Sequence, residues 1–209
     1  MGARSPALTH LRRSDPVLAK VIDAHPDFDP RAWVAELPLL DAFGALVFQV
    51  IGQQLSVAST RAILGHLEDR FGGRVPTAAE WLATDPDDLR QAGLSRRKVE
   101  TLRLVAKKFV DHELSDDGLK AMSDDEIAAR LIAIPGIGRW TVDGFLVVAL
   151  NRTDVVLSGD LALRKAIQRV YQLDHLPSEQ EVLDIAEPWR PYRSLGTAYM
   201  YVAGFDRAA

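Results

Sequence analysis

The segment Leu131-Ile-Ala-Ile-Pro-Gly-Ile-Gly-Arg-Trp-Thr141 constrains this chain more than any other. It reads as the apolar end of one helix, a tight Pro-Gly-x-Gly turn, and a second helix that begins at once. Gly136 and Gly138 lack a Cβ and accept positive φ, so a ligand can come close to the backbone N–H groups. Pro135 fixes its own φ and removes one donor, which sharpens the turn. The amides that follow lie in the first turn of a helix, where N–H groups lack intrahelical acceptors and the dipole favours an anion. The expected phosphate contacts are therefore the amides of Gly136, Ile137, Gly138, Arg139 and Trp140, with Thr141 as an added donor. A purely structural corner is the competing reading, since Pro-Gly is a common turn. The apolar flanks Leu131, Ile134 and Ile137, with regular helices on both sides, favour a grip on a nucleic-acid backbone.

The rest of the chain reads as helices joined by short turns. Asp15-Pro16 supplies a cap and an N1 proline, followed by Val17, Leu18, Val21 and Ile22 on one face. Phe43, Leu46, Val47, Val50 and Ile51 keep the spacing of a core-facing helix. A helix from about 57 to 71 presents Ile63, Leu64, Leu67 and Phe71 and stops at Gly72-Gly73. Ser95 caps another, with Val99, Leu102, Ala106, Phe109 and Val110 inward. Ser123-Asp-Asp-Glu126 and Ser178-Glu-Gln-Glu181 are capping boxes. Asp154-Val-Val-Leu157 is too short to build a sheet, and only the first dozen residues look loose. The fold class is all-α.

Asp160 stands nineteen residues after Thr141, behind Ser158-Gly159 and ahead of a helical face made by Leu163, Ile167, Val170 and Tyr171. It is placed at a helix N-cap, and many aspartates there do nothing else. The same place favours the carboxylate by roughly 0.3–1 kcal/mol, and Arg164 at i+4 can add to that. A carboxylate near a phosphate-gripping turn suits the stabilisation of an oxocarbenium-like sugar or the orientation of a water. Glycosidases ordinarily add a second, protonated carboxyl group. Asp143 and Asp154 are nearby in sequence, but a solvent-facing helix position and a turn account for them. One acid suffices if the leaving base is already cationic.

Composition narrows the classes further. At 209 residues the chain can bury a full core as one large domain or two lobes. It has no cysteine, which excludes disulfides, cysteine-bound iron–sulfur clusters and thiolate zinc sites. The five histidines show no metal-ligand spacing. No apolar run is long enough to span a bilayer and the N-terminus has no signal-like apolar core, so a cytoplasmic protein without a membrane partner is expected. The formal charge of −4 runs against nucleic-acid binding, but basic residues cluster at 96–98, 107–108, 164–165 and 190–193. A small phosphate footprint and a modest salt dependence follow.

The turn at 135–140 and the following Asp160 resemble the helix-hairpin-helix (HhH-GPD) DNA glycosylase superfamily, and within it the 3-methyladenine DNA glycosylase II family. The likeness runs from about residue 40 to 205 and takes in Val50-Ile-Gly-Gln-Gln-Leu-Ser56, Gly93-Leu-Ser-Arg-Arg-Lys98 and Trp189-Arg-Pro-Tyr-Arg-Ser194. It implies two helical lobes with the active cleft between them, one spanning about 40–134 and the other 1–39 plus 135–209, and no separate N-terminal β-domain. Asp160 is implied as the catalytic acid. Trp140 stands where lyase-type relatives carry a Schiff-base lysine, which implies a monofunctional enzyme with water as nucleophile. Trp140 is also a candidate to stack on the extruded base. Tyr201 matches a pocket-wall residue. Gly144 stands where some relatives carry a stacking tyrosine, which implies a roomier or differently walled pocket. Gln53, Gln54 and Leu55 occupy the segment that enters the duplex as the base leaves. A monovalent cation (sodium or potassium) on the carbonyls of Ile132, Ile134 and Ile137 is also implied, with no cofactor required for the reaction.

The expected function is hydrolytic release of alkylated bases, chiefly 3-methyladenine-like purines, by a monomeric repair enzyme acting on damaged double-stranded DNA. Two alternatives stand beside it. One is a non-catalytic damage-binding protein in which Asp160 only caps a helix. The other is a glycosylase for a different lesion, such as uracil or mispaired adenine.

Overall fold

A computed structural model describes residues 5–30, 32 and 40–205. In chain order its helices are α1 (Pro6–Ser14), α2 (Pro16–Ala24), α3 (Ala42–Gly52), α4 (Val57–Arg70), α5 (Ala78–Ala83), α6 (Pro86–Gln91), α7 (Arg96–Val110), α8 (Asp116–Ala121), α9 (Asp124–Ile132), α10 (Arg139–Val148), α11 (Leu161–Val170), α12 (Glu179–Ala186) and α13 (Arg193–Phe205), with a 3₁₀ turn at Glu187–Trp189. No strand occurs among the described residues, and none of the helices is long and apolar enough to cross a membrane.

The chain divides into two compact units, Leu37–Leu150 and Met1–Glu36 with Asn151–Ala209. This corrects the expected boundary at 134/135. The turn and α10 belong with the central unit because α10 packs on α3 and α9. In that unit α3 is buried on every side from Ala42 to Ile51, as expected of a helix that is apolar all round, and α4, α7 and α10 pack around it. Phe43 meets Trp81 and Phe109 edge to face, at ring separations of 6.1 and 5.7 Å. On α7 the buried face is Val99, Leu102, Val105 and Ala106, while Val110, expected inward, is exposed.

In the other unit α11 packs on α13, α13 on α2, and α1 on α2 and the 3₁₀ turn. Residues 6–14 are helical rather than loose, because Pro6 starts α1 and Leu8 and Leu11 sink into the core. Asp15 joins these pieces. One carboxylate oxygen accepts from the amides of Val17 and Leu18. The other accepts from the indole of buried Trp189 at 2.7 Å and from the Tyr171 hydroxyl. Burial and the neighbouring Asp15 push the Tyr171 hydroxyl well above its ordinary range, so it remains a donor. Ser123 and Ser178 form the expected capping boxes, and Thr77 with Glu80 forms a third.

Candidate active site

In the central unit the turn after α9 is held by side chains from two other helices. Gly136 has φ +94°, and a Cβ there would lie 2.0 Å from the Thr101 hydroxyl. Glycine is therefore required twice, for backbone conformation and for space. The Thr101 hydroxyl donates to the Pro135 carbonyl at 3.0 Å. The Gln53 side-chain amide donates to the Gly136 carbonyl and to the Thr141 hydroxyl oxygen, both at 2.9 Å. Lys98 donates to the carbonyls of Ile51 and Gln53 at 2.8 and 2.9 Å. Its ammonium thereby closes the C-terminal end of α3, where a cation is favoured, and burial lowers its pKa.

These contacts sort the expected phosphate ligands. α10 begins at Gly138 with no side-chain cap, and a Cβ on Gly138 would meet nothing within 4 Å. Its φ of −113° is ordinary, so openness and not positive φ is what glycine contributes there. Among the described residues, no backbone carbonyl accepts from the amides of Gly136, Gly138 or Arg139. Two expected donors are corrected. The Ile137 amide donates to the Ile134 carbonyl at 3.0 Å, and the Thr141 amide to the Gly138 carbonyl at 3.0 Å. Thr141 is also only 2 % exposed, so neither residue is available to an external phosphate. The Arg139 guanidinium pairs with Asp143 at 2.8 Å. Asp143 is 2 % exposed and not solvent-facing as expected. Ile132 ends α9 and Ile134 is buried; the Ile134 carbonyl already accepts one bond and keeps a second lone pair.

The wedge candidates separate as well. Gln53 is half-buried and committed to the turn, so it is removed from the set that could enter a duplex. Gln54, at φ +59°, and Leu55, 41 % exposed, project from the turn that ends α3. Trp140 is half-buried, and a Cβ on Gly52 would lie 3.9 Å from its ring. Of the two alternatives expected at Gly144, extra room is not what the geometry gives: a Cβ there would meet the Gln49 side-chain oxygen at 2.3 Å, so the space has a different wall. Gln49 already fills that space.

In the other unit Asp160 caps α11, its carboxylate accepting from the Leu163 amide at 2.9 Å. It also shares a side-chain hydrogen bond with Tyr201. Burial first, and Asp160 next, push the Tyr201 hydroxyl well above its ordinary range, so the phenol is the donor. Arg164, expected to support Asp160, donates instead to the Pro177 carbonyl at 2.6 Å. The approach to Asp160 is fastened from the start of α13 and from Arg190, which follows the 3₁₀ turn. Arg193 pairs with Asp154 at 2.7 Å, Arg190 reaches the same carboxylate at 2.7 Å, and the Ser194 hydroxyl accepts from the Val155 amide and donates to the Arg152 carbonyl. Tyr201 also lines a pocket of about 390 Å³ with Ala162, Lys165, Ala166, Arg169 and Gly204.

Sequence reasoning missed Thr101, the tie from Lys98 to α3, and Gln49. The signal for Gln49 was present, because it is the only polar side chain between Ala42 and Ile51.

The chain is similar to DNA-3-methyladenine glycosylase 1 of Schizosaccharomyces pombe, 29 % identical over 163 residues that cover 77 % of this chain and 72 % of the relative. The solved structure of the 3-methyladenine DNA glycosylase of the same yeast, in complex with abasic DNA, superposes with a TM-score of 0.86 at 27 % identity, covering 94 % of this chain and 95 % of that one. A DNA-3-methyladenine glycosidase of Bacillus halodurans superposes with a TM-score of 0.82 at 27 % identity, covering 98 % and 92 %. The family model described as HhH-GPD superfamily base excision DNA repair protein matches residues 47–191. With more than half of its length matched, the chain belongs to the HhH-GPD superfamily of base excision DNA repair proteins.

Proposed function

We propose that this chain is a monofunctional DNA glycosylase of the 3-methyladenine type II branch, which flips an alkylated purine out of double-stranded DNA and hydrolyses its N-glycosidic bond. The observation that carries the reading is the pairing of functions at two helix starts: an uncapped glycine start at Gly138, and a start capped by a carboxylate that a tyrosine holds in place. The first offers amides to a phosphate; the second offers negative charge to a sugar cation.

In the reaction a water oxygen bonds to C1′ of the deoxyribose. The C1′–N bond breaks with its electron pair leaving on the base, and the water's proton passes to Asp160. A base already made cationic by alkylation departs neutral and needs no second acid. Asp160 stabilises charge that develops only in the transition state, which is where such stabilisation raises the rate. The Tyr201 hydroxyl fixes the carboxylate's orientation. Trp140 supplies an aromatic face for the extruded base, and Gln54 with Leu55 fills the gap in the duplex. Extrusion costs a few kcal/mol and is cheapest for damaged or mispaired bases, which gives part of the selectivity. The amides of Gly136, Gly138, Arg139 and Trp140 hold the backbone. A sodium or potassium ion on the carbonyls of Ile132, Ile134 and Ile137 would add positive charge beside that phosphate. The protein acts as a cytoplasmic monomer.

The test is base release from duplexes carrying 3-methyladenine, uracil or mispaired adenine, with borohydride added in parallel. Release of 3-methyladenine in excess over the others, with no borohydride-trapped adduct, is expected. A trapped adduct would defeat the water mechanism, and no release of any base would favour a binding protein.

A further inference from the structure

The phosphate grip and the side chains that enter the duplex belong to two different turns of the central unit, and hydrogen bonds tie those turns together. At the end of α3 the Leu55 amide donates to the Gly52 carbonyl at 3.1 Å, which closes a four-residue turn over 52–55. Gln53 has φ −53° and ψ 122°, and Gln54 follows at φ +59°. These values fit a type II turn, whose third residue is normally glycine. A side chain at that φ is disfavoured, and such a conformation persists only where its surroundings over-determine it.

The surroundings here are polar. Lys98 on α7 donates to the carbonyls of Ile51 and Gln53 at 2.8 and 2.9 Å, holding the backbone on the near side of Gln54. One turn further along α7, Thr101 donates to the Pro135 carbonyl at 3.0 Å. The Gln53 side chain closes the circuit. Its amide nitrogen donates to the Gly136 carbonyl and to the Thr141 hydroxyl oxygen, both at 2.9 Å, so both amide hydrogens are used. One carboxamide thus spans two turns 83 residues apart. On one side of it stand exposed Gln54 and Leu55; on the other is the hairpin that ends at the uncapped start of α10. A phosphate seated at the hairpin therefore fixes, through a few bonded atoms, where the side chains of 54 and 55 meet the base stack.

We infer that Gln53 is a positioning residue that sets the register at which Gln54 and Leu55 enter the duplex relative to the phosphate held by the hairpin. This rests on the proposed glycosylase function. The test compares the parent with Gln53→Leu and with Thr141→Val, which keeps its volume, lies outside the 52–55 turn and removes one of the two acceptors. For each protein, single-turnover release of one methylated purine at saturating enzyme is measured from a matched pair and from a mismatch, with affinity for undamaged duplex alongside. Extrusion is cheaper from a mismatch, so faulty entry into the duplex slows the matched substrate selectively, whereas general damage to the fold slows both alike. Gln53→Leu is expected to release base from the matched pair at least tenfold more slowly, from the mismatch within threefold of the parent, and to bind undamaged duplex within threefold. Thr141→Val is expected to show the same selectivity with a smaller loss, and it decides alone should Gln53→Leu fail to fold. Equal slowing on both substrates overturns the inference in favour of a purely structural role. Loss of undamaged-duplex affinity beyond tenfold overturns it in favour of support for the grip alone. Unchanged release from both substrates overturns it and spares the glycosylase reading, while a parent that releases no base overturns both.

Discussion

Two helix starts in this molecule are built in opposite ways. At α11 the first turn closes on itself: Asp160 accepts the Leu163 amide at 2.9 Å, so in the proposed function the carboxylate is the working group and the helix is its holder. At α10 the first turn is left open: Gly138 brings no side-chain cap and has free space around it, so in the proposed function the backbone is the working group. Side chains from elsewhere then hold that backbone, with Gln53 on the Gly136 carbonyl and Thr101 on Pro135. A helix N-terminus either satisfies its own amides or offers them to an anion. On the function proposed above, this chain uses one solution for the charge and the other for the grip.

The predictions set the two starts against each other. Asp160→Asn keeps a good N-cap while removing the charge, so base release should fall roughly 10²–10³-fold with folding stability unchanged; single-turnover kinetics and a melting curve check it. Gly136→Ala combines a positive φ, worth about 1–2 kcal/mol, with a Cβ 2.0 Å from the Thr101 hydroxyl, for which overpacking adds about 1–3 kcal/mol. Chemical denaturation should show that loss, and Thr101→Ala should restore part of it. Gln53→Leu leaves the Gly136 carbonyl and the Thr141 hydroxyl without their donor and should cost about 1–3 kcal/mol. Gly138→Asp turns the open start into a copy of the closed one. It should stabilise the protein by a few tenths of a kcal/mol and weaken binding to abasic DNA several-fold; unchanged affinity would mean that these amides do not hold phosphate.

The smallest effect lies away from both starts. His175, hydrogen-bonded to Asp174 and Glu181, has its pKa raised by Asp174 first and Glu181 next. A raised folded-state value means the stabilisation is complete below the ordinary histidine pKa of about 6.5 and is lost as pH rises through the raised value. An NMR titration of the His175 ring should place its midpoint above 6.5, and His175→Ala should abolish a slight loss of stability over that window.

Much of this was legible in the residues. Local chemistry announced the helices: Asp15, Ser95, Ser123, Asp160 and Ser178 all cap where their types and spacing predicted. The turn was legible because Pro-Gly-x-Gly has few other uses between two apolar helices. Illegible were the contacts between distant segments. Nothing near Thr101 marks it as the neighbour that demands glycine at 136, and the commitment of Gln53 depends on where α3 ends relative to a turn 83 residues later. The unit boundary was misplaced for the same reason. Sequence order joins residues 135–150 to Asp160, whereas packing joins them to α3. Asp143 was read from its own helix as exposed, yet is almost wholly buried, with Arg139 one turn before it as its ion-pair partner.

The most direct measurement takes Asp160→Asn and Gly138→Asp side by side, recording for each the single-turnover rate of 3-methyladenine release at saturating enzyme and the dissociation constant for abasic duplex. The account predicts a double dissociation: Asp160→Asn loses rate and keeps affinity, while Gly138→Asp loses affinity and keeps the saturated rate within a few-fold. An Asp160→Asn protein that releases base as fast as the parent would contradict it outright, leaving the carboxylate at 160 as no more than the cap of its helix.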